Sequence, residues 1–169
     1  MPIHTLEDLY AQQLQDLFCG ETQLCELVPT LRAAAGHKDL DKIFGDWIEQ
    51  GLQRRHMLEQ ILGELGQETV ASTASPIACI AQASEALIES IPEQDLRDAG
   101  LIAVAQRVTH YREAGYRALA PFAIFMKRKH DQHFIENSAR ESREAGEQLA
   151  QLATRTMHRA AAASYQMAG

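Results

Sequence analysis

The stretch WIEQGLQRRHMLEQ, from Trp47 to Gln60, carries Glu49, His56 and Glu59 beside Arg54 and Arg55. Side chains three or four apart leave a helix from one face. Glu49, Leu52, His56 and Glu59 fall on one such seam. Carboxylates and imidazoles that point into a helical bundle are how carboxylate-bridged dimetal centres are made, with a lone Glu from two helices and a Glu-x-x-His pair from each of the others.

Three further seams carry charge inward. Glu21 interrupts the apolar series Leu14, Leu17, Leu24, Val28. Arg112 lies in the series Ile102, Ala105, Thr109, Tyr116, Leu119. Glu141 lies in the series Phe134, Ser138, Ala145, Gln148, Leu152, with Glu144 close by. A bare buried carboxylate is costly, so each of these acids needs a metal, a proton or a cationic partner. Against this stands the plain alternative: 23 acidic residues in a helical chain of 169 will place some on apparent seams as ordinary surface.

The elements that must position these residues are helices. Alanine, leucine, glutamate, glutamine and arginine dominate, and nothing alternates with a strand period. Thr5 with Asp8 reads as a capping-box start. The first helix is expected to bend at Pro29 and end at Gly36; the second runs from near Asp39 to Gly66. QETVASTASP is a loop, and IACIAQASEALIES after Pro76 is a short helix. A third long helix spans about Glu93 to Met126, kinked at Pro121, and Asp131 caps a fourth. The pattern predicts an all-α antiparallel four-helix bundle, one domain over 1–169, with a short extra helix between the second and third long ones and a tail from about 154 that extends or frays.

Composition narrows the function. Net charge is -7 and the one basic run, Lys127-Arg128-Lys129, suits a helix C-terminus, so nucleic acid is not an expected partner. The N-terminus lacks a basic flank before an apolar run, and no stretch reaches the roughly 18 to 20 apolar residues a membrane span needs. Cys19, Cys25 and Cys79 contain no CxxC pair and read as buried small hydrophobes in a reducing compartment, so the expected location is cytoplasmic. His130 and His133 lack a third nearby ligand and read as an exposed pair. Phosphate-binding loops, nucleophile elbows and HExxH motifs are absent from the sequence.

AGLIAVAQRVTHYREAGYRAL, residues 99 to 119, resembles the third-helix signature of the YciF/YciE-like proteins. LYAQQLQDLFCGETQLCELVPTLRAAA and IFGDWIEQGLQRRHMLEQILGELG look like that family's first two helices, and the resemblance covers about residues 4 to 153. It implies a ferritin-like, rubrerythrin-related bundle, usually dimeric, associated with bacterial stress responses and without an established activity. It also implies a ferritin-like set of metal ligands. Glu21, Glu49 and Glu141 match glutamate positions of that set, with Glu144 the nearest partner of Glu141. Leu52 stands where the family has histidine, and THYR replaces EHYE, so Thr109 and Arg112 stand for two glutamates.

The substitutions have a consistent sign. Three glutamates against one arginine leave about -2, enough for one divalent ion and not two. Arg112 is expected to occupy the metal position and pair with Glu21, Glu49 or Glu141, its planar fork being suited to a carboxylate. Glu49 then reads as a ligand position without its site, and His56 as a partner for a nearby acid. Turning the third helix by one residue, about 100 degrees, would instead present His110 and Glu113, which with His56, Glu59, Glu21 and Glu141 could form a displaced site for iron or manganese.

Three functional readings follow. The first is a non-catalytic structural or interaction protein, a homodimer without a cofactor. The second is an iron or manganese protein acting on peroxide or oxygen, or storing metal. The third is a bundle that works only in complex with another protein, through the short helix 77–90.

Overall fold

The computed structural model describes residues 3–70 and 75–167, the side chains of 159–167 excepted. The centre of the expected QETVASTASP loop, 71–74, lies outside the described residues. The described residues form five helices: α1 (Leu6–Ala34), α2 (Lys38–Glu64), α3 (Pro76–Ser90), α4 (Gln94–Phe125) and α5 (Lys129–Met167). Among the described residues there is no strand. The architecture is therefore an all-α helical bundle of four long helices and one short one.

Local chemistry sets most of the boundaries. The Asp8 N–H donates to Thr5 Oγ1 at 3.0 Å and the Thr5 N–H to Asp8 Oδ2 at 2.9 Å, a complete capping box. The His4 N–H also donates to Asp8 Oδ2 at 3.0 Å, and this bond, ahead of those from Thr5, holds the Asp8 carboxyl below the usual range. α1 runs through Pro29 and ends at Ala34, two residues before Gly36. Gly36 acts through close approach: its N–H reaches Asp98 Oδ1 at 2.8 Å, and a Cβ there would stand 2.5 Å from the Gln94 side chain. α2 ends in a left-handed Gly66 at φ 68°, with the Gln67 N–H returning to the Leu62 carbonyl at 2.9 Å. Ser75 caps α3 in front of Pro76, and the Glu93 carboxylate caps α4 through the N–H groups of Asp95 and Leu96.

Asp131 is not the cap expected of it. α5 begins two residues earlier, and Asp131 turns inward, 2% exposed, to accept from the Tyr10 hydroxyl at 3.0 Å and from Arg128. Arg128 also reaches Glu64 at 2.6 Å, so one guanidinium ties the α4–α5 turn to the end of α2. Burial, and then the charge of Asp131, push the Tyr10 phenol far above its ordinary range, which keeps it a donor.

Short connections make α1 and α2 one hairpin and α4 and α5 a second, and α1 packs on α4 to join them. α3 lies over α1 and α4. Its Ile77 is fully buried, and Leu87 sits directly on Gly100, where a Cβ would come within 2.9 Å. The apolar face of the short helix is thus turned into the chain itself, with Ile80 and Ile88 also packed on the core.

The core has two apolar halves. One gathers Leu24, Leu31, Phe44, Trp47, Val104 and Leu149; the other gathers Tyr10, Leu14, Leu58, Ile61, Tyr116 and Ile135. Along α1 the boundary falls between Phe18 and Leu24, and along α4 between Val108 and Tyr116. Glu21 and Arg112 occupy those two intervals.

The turn between α4 and α5 puts Lys127 in the left-handed region at φ 59°, where the Arg128 N–H returns to the Ala123 carbonyl at 2.9 Å. The basic run therefore closes α4 through its backbone. A residue with a Cβ is strained there and glycine is not. Lys127→Gly is expected to stabilise the fold by about 0.5–1 kcal/mol, read as a higher urea midpoint with an unchanged slope. A lower midpoint would mean that the lysine side chain holds the turn.

Candidate functional site: a buried ion pair between the two halves of the core

Glu21 comes from α1 and Arg112 from α4, each on the buried stripe that its apolar neighbours define. Arg112 Nε donates to Glu21 Oε1 at 3.0 Å and Nη2 to Oε2 at 2.7 Å. The contact is a two-pronged fork with side chains only 2% and 1% exposed. The Tyr116 hydroxyl adds a third donor to Glu21 Oε1 at 3.2 Å. Burial, and next the charge of Glu21, push the Tyr116 phenol well above its ordinary value. Trp47 of α2 sets its ring 5.2 Å from the guanidinium carbon, an attraction worth about 0.5–2 kcal/mol.

Small residues make room for this layer. A Cβ on Gly51 would stand 3.3 Å from Cys25 Sγ and 3.8 Å from Arg112 Nη2. Cys25 is half-buried, and burial followed by the nearby Glu21 raises its thiol. Thr109 is buried one turn before Arg112, donates to its own helix at the Gln106 carbonyl, 2.8 Å, and faces Gly146 of α5.

A second pair lies toward the α2–α5 seam. Arg54 Nη2 reaches Glu141 Oε2 at 2.8 Å, with the arginine 5% and the glutamate 42% exposed. Arg54 Nε is buried without a hydrogen-bond partner among the described residues. Arg54 is thus a buried charge that joins two helices. The signal was present in its spacing from Trp47, Gly51 and Leu58, all of which are buried.

The structure does not bring the remaining candidates together. Glu49 is exposed, as are His56, Glu59, His110 and Glu144. Leu52 is 49% exposed, so it fills no interior position. The seam Glu49–Leu52–His56–Glu59 is the outer face of α2; its inner face is Phe44, Trp47, Gly51, Arg54, Leu58. Glu113 is half-buried and pairs with Arg117 at 3.4 Å. Among the described residues no three His, Cys, Asp or Glu side chains converge as metal ligands. Both oxygens of Glu21 are already engaged by a cation. The donors among the described residues do not fit a dimetal cage.

A family model described as a domain of unknown function, DUF892, matches residues 5–162. The chain belongs to this family. Protein YciF of Escherichia coli strain K12 is 28% identical over 124 residues, spanning 73% of this chain and 75% of YciF. The crystal structure of the E. coli stress protein YciF superposes with a TM-score of 0.82 at 24% identity, covering 92% of this chain and 99% of that one. YcfI of Rhodopseudomonas palustris, provisionally assigned as a structural protein, gives 0.80 at 26% identity, covering 88% and 94%. These likenesses agree with the bundle described above. No helix of the described residues is long and apolar enough to cross a membrane.

The two arginines differ in what their loss leaves behind. Arg54→Met frees Glu141, which already reaches water, and removes a buried unpartnered nitrogen. The expected cost is at most about 1 kcal/mol in urea unfolding. A loss above about 2 kcal/mol would mean that Glu141 depends on Arg54 as Glu21 depends on Arg112.

Proposed function

We propose that this member of the family is a non-catalytic, stress-associated bundle protein with a structural or interaction role, acting in the cytoplasm as a homodimer. In this reading the bundle is ferritin-like and rubrerythrin-related, and its dimetal site is degenerate, with Arg112 and Thr109 standing for ligands. The supporting observation is the fork of Arg112 on Glu21: the carboxylate that a metal would need is neutralised by a guanidinium of the same chain. The printed description of YciF as a stress protein, and the provisional one of YcfI as structural, run in the same direction.

The test is elemental analysis of untagged protein produced with added iron and manganese, beside an Arg112→Glu, Thr109→Glu double variant. The reading expects wild-type protein to hold far less than one ion per chain and its unfolding midpoint to ignore chelator. It expects the double variant, if folded by circular dichroism, to gain metal. About two ions per wild-type chain would overturn it and favour an iron or manganese protein acting on peroxide or oxygen.

A further inference from the structure

The seam between α2 and α5 opens into a cleft of about 280 Å³. That volume suits a small molecule and not a docked helix. Arg54 of α2 and Glu141 of α5 are the one cation and the one acid in its lining. His130, His133, Asn137 and Phe134 of α5 stand beside them.

Two arginines are buried, Arg54 and Arg112, and they use the same guanidinium edge differently. On Arg112 the edge is complete: Nε and Nη2 each donate to one oxygen of Glu21. On Arg54 only Nη2 is engaged, by Glu141 Oε2 at 2.8 Å, and Nε has no partner among the described residues. Half of a fork suited to two oxygens is thus unmet on a side chain 5% exposed. A buried donor without a partner calls for an acceptor, and on a cation an anionic acceptor serves best. Glu141 is 42% exposed and holds by a single bond, so it is free to turn out to water and uncover that edge.

The α5 wall supplies a second donor. Arg140 Nη2 reaches Asn137 Oδ1 at 3.1 Å, and a guanidinium only donates, so the Asn137 amide nitrogen is the one that meets His133 Nε2 at 2.9 Å. A ring nitrogen that accepts carries no proton, so the proton of neutral His133 sits on Nδ1 and is left to be given. Among the described residues no third ligand joins His130 and His133 as in a metal site. Phe134 adds an apolar surface for a short hydrocarbon body.

We propose that the α2–α5 cleft binds a small oxyanion, a carboxylate or a phosphate, through both edge nitrogens of Arg54. Glu141 is its internal competitor, presenting to Arg54 the same oxygen chemistry that the ligand brings. With Glu141 turned away the lining holds one positive charge and no acid. The inference concerns Arg54 and not the Glu21–Arg112 pair, so it stands whether or not the bundle interior can hold metal.

The probes are sodium phosphate and sodium succinate, titrated into the full chain at an ionic strength fixed with sodium chloride, beside neutral succinamide. Binding is read by isothermal titration calorimetry and by the imidazole resonances of His133. At least one anion is expected to bind with a Kd of about 1 mM or tighter and to move His133, with succinamide silent. Glu141→Gln should tighten that binding at least about fivefold, because the competing charge is gone. Arg54→Met should abolish it, and Arg54→Lys, which keeps the charge without the fork, should weaken it at least about fivefold. Circular dichroism checks the fold of each variant, and Glu141→Gln, a change at the rim, keeps the test decisive if an Arg54 variant unfolds. Tighter binding of phosphate would assign the cleft to phosphorylated ligands, and tighter binding of succinate to carboxylates. The proposal is overturned if neither anion binds by about 20 mM, or if Glu141→Gln leaves the affinity unchanged or lowers it. It is equally overturned if folded Arg54→Met binds like the wild type, or if sodium chloride alone reproduces the response, which would mark an adventitious ion only.

Discussion

A carboxylate and a guanidinium almost wholly removed from water set the terms for the rest of this bundle. Taking either charge out of water alone costs several kcal/mol, and the pair is tolerable only when the geometry is good and remaining donors and acceptors are satisfied. The fork between Glu21 and Arg112 supplies the geometry. Tyr116 supplies the extra donor, and the Trp47 face covers the guanidinium. Gly51 and Cys25 pack closely beside it, an added Cβ on Gly51 standing 3.3 Å from the Cys25 sulfur. The layer uses α1, α2 and α4 together, so none of these three can slide past another without disturbing it.

Two polar clamps fix the ends of the bundle on either side of that layer. At one end Asp98 holds the α1–α2 turn through the Gly36 N–H, while Gln94 bonds both Asp98 and the Ala34 carbonyl. At the other, Tyr10 and Arg128 converge on Asp131, and Arg128 extends to Glu64. Each long helix contributes a group to one clamp or the other. The apolar halves of the core then fill the space between clamps and central layer. Hydrophobic burial supplies the bulk of the stability, and the polar contacts specify register.

Helix existence was legible in the apolar spacing, and the stripes of α1 and α4 carry Glu21 and Arg112, but α4 has apolar residues on more than one face, so a register turned by one residue stayed open until the structure placed Arg112 inward. The partner of Arg112 was narrowed to three glutamates, of which the structure selects Glu21. On α2 the apolar surface runs past the stripe that packs: Ile48 still touches the core, but Leu52 beyond it is exposed. That outer stripe carries Glu49, His56 and Glu59, whereas Arg54 lies on the buried one. The polar α5 offered too few large apolar residues to fix its phase, so Glu141 reads as inward when it stands at the rim. Asp131 showed the limit of local rules. Its position near a helix start suggested a cap, while its partner Tyr10 lies far away in sequence.

The central claim is that Glu21 and Arg112 act as one unit, and a double-mutant cycle in urea unfolding tests it most directly. The variants are Glu21→Leu, Arg112→Met and the two combined. Each single change strands a buried charge and should cost about 3–5 kcal/mol, while the double should cost less than either. A coupling of about 3 kcal/mol or more supports the account. Additive losses with coupling below about 0.5 kcal/mol would contradict it, since the two residues would then be buried side by side without depending on each other.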